Sequence, residues 1–312
     1  TPALRSPVVT IDSTTLSESV PQSAARLDAL DRIGVIGYPT KRDEAWRYAP
    51  HRRLDDLSFG GSVEAPTELP DLDALLPGLG GPRMVVVNGV FDVNRSTPDC
   101  PEGVSITSLA DALAADPERL AAHFDRADDD IVDAYVALNI AFGSDGVVVR
   151  VAEGVIVEVP IHIVAVDVPD GTGTATCTGV VLELGAGSAA TVVESRLGAS
   201  DLFGGSNIRT TITLGENAAL EHVVLQDVPT EQIHLSRVEV TQAYVDQCVL
   251  AHREGDLTAV DAAKAKWWTA QVQNDVLDHC VQLHGGYGFM NEYRVSRAWR
   301  DARVTQIWAG SN

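Results

Sequence analysis

The sequence predicts an α+β fold built from three parts: an N-terminal helical and mixed region over residues 1–145, a β-solenoid over residues 146–240 and a C-terminal three-helix fragment over residues 241–312. The period of the apolar residues supports this division, because it changes from strand-like to helical after Val240. The charge changes at the same point: of the 23 basic and 44 acidic side chains, only seven basic and eight acidic ones follow Val240. Four of the five tryptophans also follow it. These shifts indicate two modules of different origin.

The N-terminal region is predicted to contain three helices and one short strand. Apolar residues at helical spacing predict helices over Ser19–Gly34, Ser108–Phe124 and Asp130–Phe142. The run Met84–Val87 predicts a short buried strand. The stretch Pro66–Pro82 is rich in proline and glycine and is therefore predicted to be a loop.

The middle region contains an internal repeat. Three stretches align with one another: Val149–Gly154, Leu182–Gly187 and Ile212–Asn217. Their last residues are 33 and 30 positions apart and are glycine or asparagine, which tolerate a left-handed turn. Such a repeat is typical of stacked rungs, each burying the apolar face of its neighbour, although a β-sandwich with similar hairpins is the alternative. The predicted strands are Val147–Val151, Val155–Val159, Val180–Leu184, Ile208–Leu214 and Leu220–Leu225.

The C-terminal fragment is predicted to form three helices. The first covers Thr241–Glu254, the second starts at an N-cap on Asp256 or Thr258 and ends at His284, and the third covers Val295–Trp308. The predicted core residues of these helices are Trp267, Leu277, Cys280 and Leu283.

Composition excludes several classes of function. A formal charge of −21 argues against nucleic-acid and anionic-membrane partners, because both are bound through clustered Lys and Arg. The four cysteines have neither the spacing of a zinc ribbon nor that of a disulfide framework. Cys280 and His284 are four residues apart on a predicted helix, but two ligands do not make a metal site, so we predict none. Because no run of 18 apolar residues occurs, we expect a cytoplasmic protein.

Residues 20–240 carry a series of short motifs. These are Pro39–Tyr48, Val87–Gly89, Ala137–Phe142, Asp145–Gly146, Pro160–Ile161, Gln226–Asp227 and Ile233–Leu235. In this order they resemble the SufB/SufD family of iron-sulfur cluster assembly proteins, and SufD more than SufB. The resemblance implies a right-handed β-helix that is a non-enzymatic scaffold, works with SufB-type and SufC-type subunits and meets an iron-sulfur cluster only transiently, with a partner.

The resemblance stops at about Val240, whereas members of the family continue the β-helix. The family positions that help to hold a nascent cluster belong to that later half, so the resemblance implies a truncated β-helix with impaired function and assigns no cluster ligand. Two histidines lie in the part that is present, His222 and His234. Each either faces a partner and assists cluster chemistry, or packs against a strand or lies at the surface.

Residues 241–312 carry a second set of motifs. These are Thr241–Asp246, Asp261–Lys266, Cys280–Gly288, Arg300–Arg303 and Ile307–Asn312. They resemble the C-terminal helical end of the acyl-CoA dehydrogenases. The resemblance implies that Gln282, Gly285 and Gly286 contact the FAD of a neighbouring subunit, and a helix C-cap with a buried glutamine is the alternative.

The same resemblance argues against catalysis by this fragment. Many acyl-CoA dehydrogenases have their catalytic glutamate at the position of Ala309, and alanine cannot act as a base. The domains that build most of the flavin pocket have no counterpart here, so we assign no catalytic residue and expect no enzyme. The alternatives to a scaffold are a fragment of a flavin-dependent acyl-CoA dehydrogenase and a chimeric chain with no evolved function.

Overall fold

The computed structural model describes residues 10–11, 22–43, 46, 49–60, 63, 66, 69–97, 99–124, 133–242 and 258–307. Contacts between Cα atoms divide the chain into two compact units, Thr1–Thr241 and Gln242–Asn312. The first unit contains a β-solenoid of about three turns with helices beside it, and the second contains small helices. The predicted α+β class is therefore confirmed.

The described part of the chain contains strands β1 to β12 and helices α1 to α8, numbered in chain order. The strands are β1 (Thr10–Ile11), β2 (Ser58–Phe59), β3 (Arg83–Val87), β4 (Val90–Thr97), β5 (Val104–Ser108), β6 (Asp145–Val151), β7 (Ile161–Asp167), β8 (Ala175–Leu184), β9 (Ala189–Gly198), β10 (Gly204–Leu214), β11 (Ala219–Asp227) and β12 (Gln232–Gln242). The helices are α1 (Ser23–Ile36), α2 (His51–Leu54), α3 (Leu72–Leu75), α4 (Leu109–Ala115), α5 (Ala121–Phe124), α6 (Ala134–Phe142), α7 (Ala259–Leu283) and α8 (Arg294–Ala302). Two 3₁₀ helices cover Gly285–Phe289 and Arg303–Gln306.

The solenoid consists of two five-stranded sheets. Their strand orders are β12-β10-β8-β6-β5 and β11-β9-β7-β3-β4, so consecutive strands alternate between the sheets from β6 onward. Pairing is parallel within each stack: Val180 of β8 lies opposite Val147 of β6 and Thr210 of β10. These partners are 33 and 30 positions from Val180, which are the intervals of the sequence repeat.

Three turns that follow the sheet strands keep the rungs stacked. Gly154, Gly187 and Asn217, the last residues of the aligned repeats, have φ of 70°, 65° and 55°. This left-handed conformation suits glycine and asparagine and confirms the predicted turns. The N-terminal edge of each sheet ends in an antiparallel strand, since β5 pairs with β6 and β4 pairs with β3.

Two apolar layers hold the first unit together. One layer lies between the two sheets and contains Val149, Ile161 and Leu182, which are each 0% exposed. The other lies between the outer face of a sheet and the helices, where Leu138 of α6 and Val181 of β8 share one core cluster. Helix α6 is buried from Ala134 to Ala141, which explains why its sequence is apolar on all sides.

The structure corrects several predicted elements of the first unit. The helix predicted over Ser108–Phe124 is two helices, because Ser108 ends β5 and caps α4, and Pro117 disfavours a helical Asp116. The predicted strand Val155–Val159 makes only an isolated bridge through Ile156. The predicted loop Pro66–Pro82 contains α3. Strands β1, β2, β4, β5, β7, β9 and β12 were not predicted.

The second unit also differs from its prediction. The helix predicted over Thr241–Glu254 is wrong at its start, because Thr241 and Gln242 belong to β12, and residues 243–257 lie outside the described residues. The third predicted helix is α8 followed by a 3₁₀ turn. Trp267 is 52% exposed and is not a core residue, Leu277 and Cys280 are half-buried, and the side chain of Leu283 lies outside the description. Among the described helices, none is long and apolar enough to span a membrane.

Candidate functional site

The interior of the solenoid turns polar on one side. Beside the turns that lead from β7 to β8, from β9 to β10 and from β11 to β12, polar side chains replace the apolar core. These side chains, which we call the polar layer, are Asp167, Thr176, Glu194, Arg196, Ser206, Thr210, His222 and His234. They lie inside because the two-residue period of each strand continues into them, as it does from Val192 to Glu194 and Arg196.

Glu194 is the ionic centre of the polar layer. It is 2% exposed, and its Oε2 accepts a hydrogen bond from Nη2 of Arg196 at 2.8 Å. Its Oε1 accepts from the Thr210 hydroxyl at 2.8 Å and from Nε2 of His222 at 2.8 Å. Burial alone raises the pKa of Glu194, but the His222 hydrogen bond and the charge of Arg196 hold it below its ordinary value. Glu194 is therefore a buried carboxylate whose charge is fully compensated.

Hydrogen bonds also connect Arg196 to His234 and His234 to Ser206. Nη1 of Arg196 lies 3.2 Å from Nε2 of His234, and Nδ1 of His234 lies 2.7 Å from the Ser206 hydroxyl oxygen. A second buried carboxylate, Asp167, accepts a hydrogen bond from the Thr176 hydroxyl at 2.7 Å. The first set of hydrogen bonds connects β9, β12 and β10, and the second connects β8 to β7.

Burial shifts the pKa values of Asp167 and His234 in opposite directions. It raises the pKa of Asp167 to about 6, although the hydroxyl groups of Thr176 and Ser206 act in the opposite direction. Burial and the charge of Arg196 lower the pKa of His234 to about 4, against a smaller effect of Glu194. At neutral pH His234 is therefore a neutral imidazole, and Asp167 titrates close to physiological pH.

His234 also lines a surface groove of about 690 Å³. The groove, called the Trp46 groove here, is lined by Trp46, Ala49, Pro50, Arg53, Leu54, Gln226, Val228, Pro229, Thr230, Gln232, Ile233, His234 and Leu235. Arg53 donates to the backbone carbonyls of Thr230 and Glu231 and lies over the ring of Phe203, so it fixes one rim. Trp46 stacks at 5.0 Å on Tyr135.

The structure places both predicted histidines of the solenoid against its interior. His222 contacts Glu194 and His234 contacts Arg196 and Ser206, which corresponds to the strand-packing alternative for both. The other members of the polar layer were not predicted. The spacing of Glu194 and Arg196 two residues apart was the available signal, because on a strand it places opposite charges on one face.

The opposite shifts of Asp167 and His234 predict a specific pH dependence of stability. Because folding raises the pKa of Asp167, this group stabilises the folded chain at pH values below 3.8, its ordinary pKa, and the stabilisation is lost as pH rises through about 6. Because folding lowers the pKa of His234, this group stabilises the folded chain at pH values above 6.5, its ordinary pKa, and the stabilisation is lost as pH falls through about 4. The two contributions oppose each other over the same interval.

We therefore expect Asp167→Asn to remove the contribution of Asp167 and leave that of His234. Relative to the unsubstituted chain, its free energy of unfolding should fall by about 3 kcal/mol as pH drops from 6 toward 4, since one pKa unit corresponds to about 1.4 kcal/mol. Urea unfolding at several pH values measures the difference. Asp170→Asn, at an exposed carboxylate of the adjacent turn, is the control, and parallel curves for both variants would contradict the assignment.

The residues predicted for flavin contact lie close together in the sequence, Gln282 in the last turn of α7 and the two glycines just after it. Gln282, Gly285 and Gly286 are all exposed. Gly285 has φ of 56°, and a Cβ added to Gly285 or Gly286 would meet no heavy atom within 4 Å. The left-handed Gly285 fits a helix C-cap, but the exposed Gln282 does not fit the buried glutamine of that alternative.

These three residues fit the approach of an extended polar ligand. The space over both glycines leaves their backbone accessible, and Gln282 offers an amide donor and acceptor beside them. The neighbouring His284 donates from its Nδ1 to the Cys280 carbonyl oxygen at 2.8 Å. Among the described residues, no group of three or more His, Cys, Asp or Glu side chains is arranged to hold a metal ion. Ala309 lies outside the described residues.

Comparison with known proteins finds similarity to two different families in two parts of the chain. Residues 13–163 match the model of the SufBD protein N-terminal region, and residues 234–312 match the acyl-CoA dehydrogenase C-terminal domain. The chain is thus similar to SufBD proteins in one part and to acyl-CoA dehydrogenases in another. This result confirms both resemblances seen in the sequence.

Individual relatives cover different parts of the chain. An iron-sulfur cluster assembly SufBD family protein from Synechocystis sp. is 25% identical over 229 residues, which are 70% of this chain and 50% of the relative. The long-chain specific acyl-CoA dehydrogenase of Sus scrofa is 48% identical over 73 residues, or 23% of this chain and 17% of the relative. A short-chain specific acyl-CoA dehydrogenase of Megasphaera elsdenii is 40% identical over 76 residues, 20% of its length. The chain thus spans half of the SufBD relative and a fifth or less of these dehydrogenases.

The acyl-CoA dehydrogenase match begins inside a strand. The acyl-CoA dehydrogenase match begins at residue 234, whereas β12 runs from Gln232 to Gln242. His234 and Glu239, which bond to Arg196 and Arg209 of the preceding solenoid strands, therefore lie in the dehydrogenase-matched range. The sequence similarity changes before the solenoid strand ends.

Proposed function

We propose that this chain is a cytoplasmic, non-enzymatic scaffold component of iron-sulfur cluster assembly that binds SufB-type and SufC-type subunits. The observation that carries the proposal is the SufBD-type solenoid, with three stacked rungs and a match to a SufBD family protein over 70% of the chain. A rigid stack of rungs offers an extended surface to other subunits. In this role an iron-sulfur cluster is cargo, met transiently and together with a partner.

The proposal includes a scaffold that is impaired relative to a continuous SufD-type β-helix. Dehydrogenase-type residues begin at residue 234, so they take the place of the rungs that follow in the SufB/SufD family. We therefore expect the chain to bind its partner subunits but to support less cluster assembly than a complete SufD-type subunit.

Co-expression tests the binding step. The full chain, expressed with an affinity-tagged SufB-type subunit and a SufC-type subunit, should co-purify with them. Gly146→Ala, which drives a Cβ toward the Gly179 carbonyl oxygen of the next rung, should abolish capture, whereas Gly78→Ala, in open space, should not. Capture of a complete SufD-type subunit but not of this chain would contradict the proposal.

A second candidate function rests on the helical unit. The exposed Gln282, Gly285 and Gly286 favour contact with the dinucleotide part of FAD, the cofactor that accepts hydride in dehydrogenation. This role belongs to a fragment that completes a flavin site with another chain rather than to an independent enzyme.

The visible spectrum of the same purified chain tests this second candidate. A protein-bound flavin spectrum that is lost in Gly286→Val would support it, and a colourless chain after incubation with FAD would contradict it. A chain that neither co-purifies with SufB-type and SufC-type subunits nor binds FAD would be a chimera that has kept the function of neither segment.

A further inference from the structure

A second cavity of the first unit, of about 240 Å³, is lined by residues of α6, β10 and β12 together with Trp46 and Asp133. We call it the Asn207 cavity, and it shares Trp46 and Leu235 with the Trp46 groove. Ile208 of β10 belongs to the core between the sheets, so its neighbour Asn207 faces the other way, toward α6. Pockets for drug-sized ligands measure roughly 300–1,000 Å³, so this cavity suits a smaller ligand.

Two buried amide side chains at this cavity use their NH₂ groups and keep their oxygens available. Nδ2 of Asn139 donates to the backbone carbonyls of Thr178 and Asn207, at 3.1 and 2.7 Å. Nδ2 of Asn207 donates to the Tyr135 carbonyl at 2.8 Å. Asn139 is 2% exposed and Asn207 is 3% exposed, and no residue in the described part of the chain donates to the Oδ1 of either. Two acceptors held in this way favour a ligand that brings N–H donors.

A carboxylate adds a third acceptor to the lining. Asp133 caps α6, where its Oδ1 accepts from the backbone N–H groups of Tyr135 and Val136 at 2.8 and 3.1 Å. Its Oδ2 accepts from none of the residues that the structure describes. The ring of Trp46, which also lines the cavity, lies 5.0 Å from the ring of Tyr135. Three acceptors beside aromatic rings match an ammonium group, which has three N–H donors and is attracted to aromatic faces.

An arginine of β12 supplies the opposite charge. Arg237 lines the cavity with an exposed side chain, and its Nε lies 3.7 Å from Oε1 of Glu239. Among the described residues, none accepts from its Nη groups, so they offer a fork that suits a carboxylate. Arg209 beside it is engaged, because it donates to Glu239 at 3.1 Å and to the His123 carbonyl. The two guanidinium groups carry as much formal charge as the carboxylates of Glu239 and Asp133, which favours a ligand that is neutral overall.

We propose that the Asn207 cavity binds a free α-amino acid as its zwitterion, with the ammonium group at the three acceptors and the carboxylate at Arg237. The side chains of Val136 and Leu235 form an apolar part of the lining, which selects an aliphatic amino acid. An amine without a carboxylate, or a carboxylate without an amine, pairs with only one of the two charged sides. The cavity therefore discriminates between the zwitterion and either of its halves.

The test is an NMR titration of the purified full chain with L-leucine, isopentylamine and isocaproate. The last two compounds have a similar aliphatic part but carry only the ammonium group or only the carboxylate. The indole N–H signal of Trp46, assigned by its loss in Trp46→Phe, reports binding at the cavity. We expect L-leucine to shift this signal until it saturates. L-Leucine should bind at least about tenfold more tightly than either analogue, because each analogue lacks one set of charge-assisted hydrogen bonds.

Two variants test the two charged sides separately. Asp133→Asn keeps the N-cap of α6, because asparagine caps helices as well as aspartate does, but it removes the charge that pairs with the ammonium group. Arg237→Gln changes an exposed side chain and removes the partner of the carboxylate. Each should weaken L-leucine binding about tenfold, and Arg237→Gln should leave isopentylamine binding unchanged. Asp71→Asn at the N-cap of α3 and Arg42→Gln at an exposed arginine are the matched controls.

Three results would overturn the proposal: no saturable shift of the Trp46 signal at millimolar L-leucine, equal affinities for L-leucine and isopentylamine, or an L-leucine affinity that is unchanged in Arg237→Gln. The backbone spectrum of each variant shows whether it is folded, and the exposed Arg237 gives an independent result if Asp133→Asn does not fold. Because the measurement needs no partner subunit, its outcome does not depend on the proposed scaffold role.

Discussion

Replacing Glu194 by alanine should lower the free energy of unfolding of the solenoid unit by about 3 to 5 kcal/mol. The substitution leaves the guanidinium of Arg196, which is 3% exposed, without its counter-charge. It also removes the acceptor of the Thr210 hydroxyl and of the His222 ring. A buried charge without a partner costs far more than the ion pair itself contributes, because the solvation lost on burial is no longer offset.

Urea unfolding measures this loss of stability, and hydrogen exchange of the β9 and β10 amides shows that it arises within the solenoid. Glu221→Ala is the matched control, because Glu221 is an exposed carboxylate of β11 with a single hydrogen bond at 3.5 Å. The double variant Glu194→Leu with Arg196→Met should recover most of the stability, since it removes both charges together. Equal losses for Glu194→Ala and Glu221→Ala would show that the pair is not effectively buried.

The solenoid could be predicted because its turns carry a local signal. Gly154, Gly187 and Asn217 need a left-handed backbone, and their spacing survives in the sequence as a repeat. Strands β7 and β9 carry no such signal. All seven residues of β7 are buried, so no alternation appears, and β9 changes from an apolar to an ionic interior at Glu194. A pattern search for alternating strands therefore misses the strands that contain the site.

The sequence also could not predict that the residues of the polar layer lie together. Its members come from six strands, and only the stacking of rungs brings Arg196, Ser206 and His234 together. The histidines drew attention by residue type alone, and their role depends on Arg196. The flavin-contact residues were named from a family resemblance, and the exposed Gln282 and Gly286 fit that role without deciding it.

The start of the acyl-CoA dehydrogenase match shows how context decides secondary structure. Residues 234–242 belong to that match and to the C-terminal fragment's border, yet they form the end of β12. Their sequence alternates, with Val238 and Val240 on one face and Arg237 and Glu239 on the other. Glu239 accepts from the fully buried Arg209 at 3.1 Å, a contact available only in the strand. Tertiary contacts with β10 thus extend the solenoid past the point where the sequence similarity changes.

Gly146→Ala should lower the free energy of unfolding by about 3 kcal/mol or more, because it opposes the pairing of β6 with β8 in the first two rungs. Gly146 has φ of 143°, a conformation that side chains rarely adopt, and lies opposite Gly179 in the β6–β8 pair. A Cβ at this position would lie 1.9 Å from the Gly179 carbonyl oxygen, so backbone must move.

The glycines of this chain provide a graded test of that explanation. Gly179→Ala places its Cβ 2.5 Å from the flexible end of Leu109, which can shift, so its cost should be smaller. Gly78→Ala meets no atom within 4 Å and should be close to neutral. Denaturant midpoints should therefore fall in the order Gly78→Ala, Gly179→Ala, Gly146→Ala. If Gly146→Ala were as stable as Gly78→Ala, β6 and β8 would not be stacked as closely as their pairing requires.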